Sequence, residues 1–377
     1  MIERILQKDI ESRLFKGKII IISGARQVGK TTLAEKIARD SGEEFMLLNC
    51  DEYDVKTALE NSNSVKLKNI FGKTKIIIID EAQRVENIGL TLKIISDRIK
   101  EVQVIATGSS SFEIANKINE PLTGRKFEFE LFPISFYELT SQTGLLQEKR
   151  MLGQRMLYGY YPEIVMNPAG EISLLKSIAK SNLYKDILNF EGIRKPVLVE
   201  KILKALAFQT GSEVSYTELS RLTNADKNTV EKYIDIMEKA FIIFKLTSFT
   251  GNSRVEIRKG KKFYFFDNGI RNAVINNYSP LESRTDTGAL WENFIISERQ
   301  KYLKNSGIDA STYFWRTINK TEIDYIEEIN GKLTLYEFKW KTGKHVKPPK
   351  IFSEKYNIKN VKVITSSNYE EFLGFEG

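Results

Sequence analysis

The stretch SGARQVGKTTL, residues 23–33, follows the apolar run KIIII and decides the fold of the first part of the chain. Gly24, Gly29, Lys30 and Thr31 fit the pattern G-x-x-x-x-G-K-[ST], with a strand expected before the loop and a helix after it. Glycines let backbone N–H groups turn inward around phosphates, the lysine reaches the β and γ phosphates, and the threonine hydroxyl binds Mg²⁺. The full pattern in this setting favours an ATP-binding loop over a chance glycine-rich turn.

A second segment adds a hydroxyl to the predicted nucleotide site. VIATGSSSF, residues 104–112, is a strand pattern that ends in serines, and Ser109 or Ser110 is placed to hydrogen-bond the γ-phosphate or the attacking water. The alternative is a serine-rich turn that caps the following helix. The residues predicted to bind ATP are Gly24, Ala25, Arg26, Gln27, Val28, Gly29, Lys30, Thr31, Thr32 and Ser109.

Four consecutive isoleucines lead into a pair of acidic residues, Asp80 and Glu81. Asp80, at the end of a strand, is the expected second Mg²⁺ ligand beside Thr31 and is expected to bind through water, and Glu81 is expected to orient or deprotonate the attacking water. The alternative is an acidic pair that caps a helix. The spacing from the glycine loop favours the first interpretation, and the Asp-Glu pair indicates hydrolysis of ATP as well as binding.

An arginine follows in LTGRKFEFELFPISFYEL, residues 122–139. Arg125 is placed to reach a γ-phosphate, either within its own subunit or on a neighbouring subunit of a homo-oligomer. The alternative is an ordinary surface arginine, and the sequence does not decide between the three.

Residues 17–140 alternate between strand and helix patterns. KIIIIS, EEFMLLNC, KTKIIIID and VQVIATG are short apolar runs with polar or turn residues at their ends. Such runs are typical of buried parallel strands with helices between them. The predicted fold class is therefore α/β, with a parallel sheet of the P-loop NTPase type in the first part of the chain.

The middle of the chain has three helical patterns followed by a strand, a turn and a strand, which is helix-turn-helix geometry with a wing. The outward residues of the third helix carry mixed charge, whereas the turn SRVEIRKGKK, residues 253–262, is basic and suited to contact phosphates. Two interpretations stay open: this part binds DNA, or it packs between its neighbours.

Four residues stand out near the end of the chain. Glu292 lies on a predicted helix, Asp324 on a strand, and Glu337 and Lys339 two apart on the next strand, where they face the same side. This is the arrangement of PD-(D/E)XK nucleases, in which Asp324 and Glu337 would bind Mg²⁺ or Mn²⁺. Lys339 would position the metal-bound water or stabilise the charge of the transition state. Glu298 is an alternate for Glu292. The competing interpretation is a solvated strand face on which Lys339 pairs with Glu337.

Composition narrows the possible classes of protein. The chain has 377 residues and a formal net charge of +8, which favours an anionic partner. One cysteine, Cys50, and one histidine, His345, exclude a disulfide framework within the chain and a Cys/His zinc site. No stretch is long and apolar enough for a membrane span, and the N-terminus lacks the apolar core of a signal peptide. We therefore expect no membrane partner and a cytoplasmic location.

The ordered set GARQVGKTTL, IIIIDEAQRV, TGSSSF and LTGRKFEFELFPISFYEL closely resembles a large prokaryotic family of AAA-type ATPases. YGYYPEIV, YKDILNFEGIRK and FYFFDNGIRNAV look like later signatures of that family, so the resemblance covers nearly the whole chain. It implies a P-loop core, then a winged helix, then a restriction-endonuclease-like α/β fold. The predicted domains are an AAA-type ATPase at 1–145, a helical connector at 146–200, a winged helix at 201–280 and a PD-(D/E)XK nuclease-like domain at 281–377.

These features predict an AAA-type ATPase that uses ATP and Mg²⁺ and associates with DNA through its winged helix and a metal-dependent nuclease-like domain, where Mn²⁺ is an alternative metal. The predicted catalytic residues are Glu81, Arg125, Glu292, Asp324, Glu337 and Lys339. The alternatives are a regulatory NTPase switch, or a defence module acting on protein or RNA. Both would use an inactive nuclease fold as a binding scaffold.

Overall fold

The computed structural model describes residues 2–109, 122–181, 187, 195–250, 260–317, 321–341 and 346–375. These residues form two compact units. The first is built from described residues within 1–134, 180–192 and 239–241, and the second from those within 135–179, 193–238 and 242–377.

The first unit alternates helices and strands, as its sequence predicts. Its elements are α1 (Leu6–Ser12), β1 (Ile19–Ser23), α2 (Lys30–Asp40), β2 (Phe45–Asn49), α3 (Tyr53–Leu59), α4 (Ser64–Phe71), β3 (Ile76–Asp80), a 3₁₀ turn (Ala82–Arg84), α5 (Ile88–Arg98), β4 (Gln103–Gly108) and β5 (Lys126–Glu130).

These strands form one parallel sheet in the order β2-β3-β4-β1-β5. The isoleucine runs of β1 and β3 are buried on both faces, because helices cover both sides of a parallel sheet. Each buried isoleucine contributes about 1.5–3 kcal/mol of hydrophobic stabilisation. The carboxyl ends of β1, β3 and β4 meet at one edge of the sheet, so the predicted α/β fold of this unit is confirmed.

The second unit begins with helices and ends with strands. Its elements are α6 (Phe136–Thr143), α7 (Leu145–Tyr158), α8 (Pro162–Met166), α9 (Glu171–Ser181), α10 (Pro196–Phe208), β6 (Glu213–Val214), α11 (Tyr216–Thr223), α12 (Lys227–Lys239), β7 (Ile243–Ser248), β8 (Lys261–Phe265), α13 (Asn268–Ile275), a 3₁₀ turn (Leu281–Ser283), α14 (Thr287–Asn305), β9 (Ser311–Arg316), β10 (Glu322–Ile329), β11 (Lys332–Lys339), α15 (Lys350–Tyr356) and β12 (Lys362–Thr365). In the described part of the chain, no helix has the length and apolar character needed to span a membrane.

The strands of the second unit all belong to one sheet, in the order β12-β11-β10-β9-β7-β8-β6. β7 and β8 pair antiparallel, as predicted for a wing, but β7 also pairs in parallel with β9 through Thr247↔Tyr313 and Ser248↔Phe314. An isolated two-stranded ribbon leaves unpaired backbone groups at both edges and is marginal in water. The middle and last predicted domains therefore share a sheet, which the sequence analysis did not anticipate.

Candidate nucleotide site and a carboxylate cluster

The glycine loop between β1 and α2 has the backbone that its sequence requires. A Cβ added to Gly24 would lie 2.1 Å from the carbonyl oxygen of Leu131, and Gly29 has φ +95°, which residues with a Cβ rarely adopt. α2 begins at the next residue, and none of the described side chains caps its N-terminus through a hydrogen bond. Backbone N–H groups at such a helix start suit an anionic phosphate.

Lys30 is buried at the first position of α2, and its ammonium contacts neutral oxygens of the loop. Nζ donates to the carbonyl oxygens of Gly24 at 3.0 Å and Ala25 at 2.8 Å. A charged phosphate oxygen is a stronger acceptor for an ammonium than a carbonyl is. The geometry therefore fits the predicted role of Lys30 in holding phosphates.

The remaining loop residues differ in what they offer a nucleotide. Val28 and Ala25 are buried, so their side chains serve the core. Gln27 has φ +62°, which helps to curl the loop. The Arg26 guanidinium lies 3.7 Å from the Glu81 carboxylate, and Thr32 is exposed on α2.

Thr31 and Asp80 bring oxygen ligands together at the carboxyl edge of the sheet. Thr31 Oγ1 donates to Asp80 Oδ1 at 2.9 Å, and Thr107 Oγ1 on β4 donates to the same oxygen. Mg²⁺ prefers oxygen ligands, takes one or two carboxylates from protein, and completes its shell with water and phosphate. The two predicted metal ligands, Thr31 and Asp80, therefore fit a nucleotide-bound Mg²⁺.

Glu81 and Ser109 are linked through a residue that the sequence analysis missed. Gln83 Nε2 donates to Glu81 Oε2 and, at 3.1 Å, to Ser109 Oγ. The other amide atom of this side chain, Gln83 Oε1, is buried and has no hydrogen-bond partner among the described residues. A buried amide oxygen without a partner is costly, so it is an acceptor suited to a water or ligand hydroxyl. The only sequence signal was its place two residues after Glu81.

Arg4 is a second residue that sequence reasoning missed. Its Nη1 donates to the Val28 carbonyl in the glycine loop at 2.8 Å, and its Nη2 donates to the Phe132 carbonyl at 2.6 Å. The side chain is 9% exposed. Arg4 thus links the glycine loop to the carbonyl of Phe132. Nothing in the charged N-terminal segment of the sequence distinguishes it from its neighbours.

Arg125 and the nucleotide loop of the same chain lie at opposite edges of the sheet. Ile19 pairs with Lys126 where β1 and β5 begin, whereas the glycine loop follows the end of β1. A five-residue strand spans about 16 Å, which separates the two edges. Arg125 Nε is 2.7 Å from Asp97 Oδ1. This placement favours action on a neighbouring subunit, and the role of Arg125 stays a prediction.

In the second unit, Glu292 lies on α14 as predicted but contacts side chains from β8. It accepts hydrogen bonds from Tyr264 Oη at 2.6 Å and from Lys262 Nζ at 3.3 Å. Lys262 Nζ also contacts the Glu322 carboxylate on β10. Burial alone would lower the pKa of Lys262, but Glu292 and Glu322 outweigh burial and raise that pKa. The alternate residue, Glu298, caps the start of α6 and is not in this group.

Asp324, Glu337 and Lys339 lie on β10 and β11, where the sequence placed them. Asp324 Oδ2 accepts the Phe338 N–H at 2.8 Å. Burial first, and then the charge of Glu292, raise the pKa of Asp324 to about 6 against the opposing effects of this N–H and two lysines. Lys339 Nζ is 2.6 Å from Glu337 Oε1. The pairing that competed with a catalytic interpretation is therefore present.

We call Glu292, Glu322, Asp324 and Glu337 the carboxylate cluster. Over the residues that the structure describes, no group of three or more His, Cys, Asp or Glu side chains is arranged to hold a metal ion. The cluster instead contains ammonium groups already bonded to its carboxylates. The predicted Mg²⁺ or Mn²⁺ site at Asp324 and Glu337 finds no support here, because lysines balance these carboxylates.

Some predicted contacts lie outside the described residues. They are Ser110 and most of the basic turn at 253–262.

Family models match three successive parts of the chain. Residues 16–140 match a model described as AAA domain, residues 149–281 a domain of unknown function (DUF8612), and residues 287–373 a domain of unknown function (DUF4143). Together with the parallel sheet and the glycine loop, the first match supports an AAA-type P-loop domain in residues 16–140.

Several curated proteins are similar over most of the chain. An uncharacterized protein of Mycobacterium tuberculosis is 24% identical over 333 residues, which are 86% of this chain and 71% of that protein. An uncharacterized protein of Haemophilus influenzae is 26% identical over 68% of this chain and 69% of its own length. An uncharacterized protein of Methanocaldococcus jannaschii is 24% identical over 86% of this chain and 75% of its own length.

Two solved structures share a distant likeness with the chain. The Aeropyrum pernix Orc1 protein in complex with DNA has a TM-score of 0.34 and 13% identity, covering 72% of this chain and 91% of that chain. The Thermotoga maritima RuvB Holliday junction branch migration motor has a TM-score of 0.34 and 16% identity, covering 64% and 89%. At these TM-scores neither structure supports an argument about function.

Proposed function

We propose that this protein is an ATP-hydrolysing molecular switch whose catalytic site is the glycine loop with the ends of β3 and β4. The observation that carries the proposal is the Gln83 side chain, which joins Glu81 to Ser109. A loop that only bound nucleotide would have no need to align an acid, an amide and a hydroxyl beside its Mg²⁺ ligands. The link supports water activation next to the bound phosphates.

Each residue has a distinct role in the proposed reaction. Lys30 transfers its hydrogen bonds from loop carbonyls to phosphate oxygens, and the N–H groups at the start of α2 bind the same anion. Thr31 and Asp80 would hold a Mg²⁺, and a bound Mg²⁺ would neutralise developing charge on the phosphates. Glu81 accepts a proton from the attacking water. Gln83 Oε1 accepts the other O–H of that water, so its buried oxygen gains a partner.

Glu81→Gln tests the proposed acid-base role. The amide keeps the shape of the carboxylate but accepts a proton poorly, so we expect turnover to fall by about 10²–10⁴-fold while ATP affinity stays within about twofold. Phosphate release measures turnover, and fluorescence of a labelled ATP analogue measures binding. Glu86→Gln, an exposed glutamate nearby, is the matched control and should behave like the natural protein. Unchanged turnover in Glu81→Gln would remove hydrolysis by this residue from the proposal.

For the second unit, we propose the folds and the partner that the sequence predicts. α10, α11 and α12 followed by the β7–β8 pair support a winged helix, and the net charge of +8 supports DNA as its partner. The order of α14, β9, β10, β11 and β12 supports a nuclease-like fold. The lysine-balanced carboxylate cluster favours the alternative in which this fold is a scaffold without cleavage activity.

A further inference from the structure

Lys262 is the one residue of the carboxylate region that the sequence assigned to a different role. It ends the basic stretch SRVEIRKGKK, which was expected to contact phosphates in solvent. The structure places it on β8 with its side chain 1% exposed. Its ammonium contacts Glu292 at 3.3 Å and Glu322, and lies 5.3 Å from the centre of the Phe314 ring. An external phosphate could not reach it there.

The carboxylate cluster is satisfied by groups of the chain itself. Glu292 has Lys262 and the Tyr264 hydroxyl, and Glu322 has Lys262 and, at 3.5 Å, the Arg316 guanidinium. Glu337 has Lys339, and Asp324 has the backbone N–H of Phe338. Every carboxylate of the cluster therefore has a positive or N–H donor within hydrogen-bonding or ion-pairing distance.

A divalent metal in this cluster would have to displace Lys262 or share the space with it. Sharing places like charges side by side in a region of low dielectric, where their repulsion is weakly screened. Displacement would leave a buried ammonium without its two carboxylates. The Lys262 side chain is 1% exposed where it lies on β8, so water does not replace the lost carboxylates at its ammonium.

We infer that the Lys262 ammonium is the resident cation of the carboxylate cluster, and that the cluster works without a divalent metal. The lysine comes from β8 and the carboxylates from α14, β10 and β11. The ion pairs therefore tie the middle part of the chain to its last part within the second unit, along the same line as the β7–β9 pairing. This inference does not depend on ATP hydrolysis in the first unit.

Manganese binding by the full chain tests the inference. Asp80→Asn is introduced throughout to weaken the nucleotide-site metal position, no nucleotide is added, and the electron paramagnetic resonance signal of free Mn²⁺ reports how much ion is bound. We expect no site tighter than about 1 mM while Lys262 is present. Adding Lys262→Met should create one site at least tenfold tighter, in the range of weak carboxylate sites, and a further Asp324→Asn substitution should abolish it.

A neighbouring lysine supplies the matched control. Lys261→Met removes an ammonium that contacts the Tyr216 hydroxyl at 3.3 Å, and it should create no Mn²⁺ site. The measurement with Lys262 in place decides the matter even if Lys262→Met fails to fold. A sub-millimolar Mn²⁺ site in that protein, lost on Asp324→Asn, would overturn the inference. A folded Lys262→Met protein that binds no Mn²⁺ would overturn the resident-cation role.

Discussion

Two buried lysines, one in each unit of this molecule, have different hydrogen-bond acceptors. Lys30, 6% exposed, donates to the carbonyl oxygens of Gly24 and Ala25 in the first unit. Lys262, 1% exposed, contacts the carboxylates of Glu292 and Glu322 in the second. An ammonium on carbonyls gains by moving to a phosphate, whereas an ammonium between carboxylates is already neutralised. The groups that a buried lysine contacts therefore indicate whether it serves a ligand site or a structural ion pair.

The carboxylates at the two places differ in the same way. Asp80 accepts hydrogen bonds from two neutral hydroxyls, those of Thr31 and Thr107. In the carboxylate cluster, Glu337 is 2.6 Å from the Lys339 ammonium. The nucleotide site also retains a buried acceptor without a partner among the described residues, Gln83 Oε1. The nucleotide site therefore has groups available to bind a ligand, whereas the carboxylates of the cluster already have partners within the chain.

Removal of the first lysine should have the largest effect. Lys30→Ala takes away a charge-assisted contact to phosphates worth about 3–4 kcal/mol, so ATP affinity should fall by about 100–1000-fold. Isothermal titration calorimetry measures this loss. Lys36→Ala, which removes an exposed ion pair with Asp40 on the same helix, should leave affinity unchanged. Equal affinities for Lys30→Ala and the natural protein would break the contrast between the two lysines.

Removal of the second lysine should instead lower stability. Lys262→Met removes the ammonium that two partly buried carboxylates share, although each keeps a second donor. It should therefore cost about 1.5–3 kcal/mol of unfolding free energy. Lys339→Met removes a 48% exposed lysine and should cost at most about 1 kcal/mol. Trp291, Trp315 and Trp340, the three tryptophans of the chain, all lie in the second unit, so their fluorescence in urea reports on it directly. Equal losses of unfolding free energy in Lys262→Met and Lys339→Met would show that the burial of Lys262 does not contribute to stability.

The smallest expected effect concerns the acceptor without a partner. Gln83→Met keeps the length of the side chain but removes its amide, and with it the hydrogen bonds to Glu81 and Ser109. The proposed hydrogen bond to the attacking water is also lost, which should raise the barrier by about 1–1.5 kcal/mol. We expect kcat to fall about tenfold with KM within twofold. Arg84→Met, which removes a surface contact to Asp51, is the control. An unchanged kcat for Gln83→Met would mean that the buried amide only supports the loop.

Much of the nucleotide site could be read from the sequence because its groups are local. The loop residues Gly24 to Thr31 are contiguous, and their geometry follows from glycine conformations and from a helix that starts at Lys30. Asp80 and Ser109 follow apolar strands, and parallel strands bring their carboxyl ends to one edge. Spacing along the chain was therefore enough to place these residues together.

The residues that were missed or misplaced depend on contacts across long separations in sequence. Arg4 reaches Phe132, and Arg125 lies at the far edge because β5 runs parallel to β1. Lys262 looked like part of a basic turn, and only the pairing of β7 with β9 buries it among acids. The alternation of charges on a strand cannot show which charges will share a face with a distant helix.

The amino-acid sequence by itself determined the parallel sheet of the first unit and the glycine loop at its edge, because strand burial and loop conformation are properties of short segments. Tertiary structure alone decided whether each charged group faces a ligand, a carbonyl or an opposite charge. That choice rests on electrostatic and desolvation energies, which depend on three-dimensional distances between residues far apart in the chain.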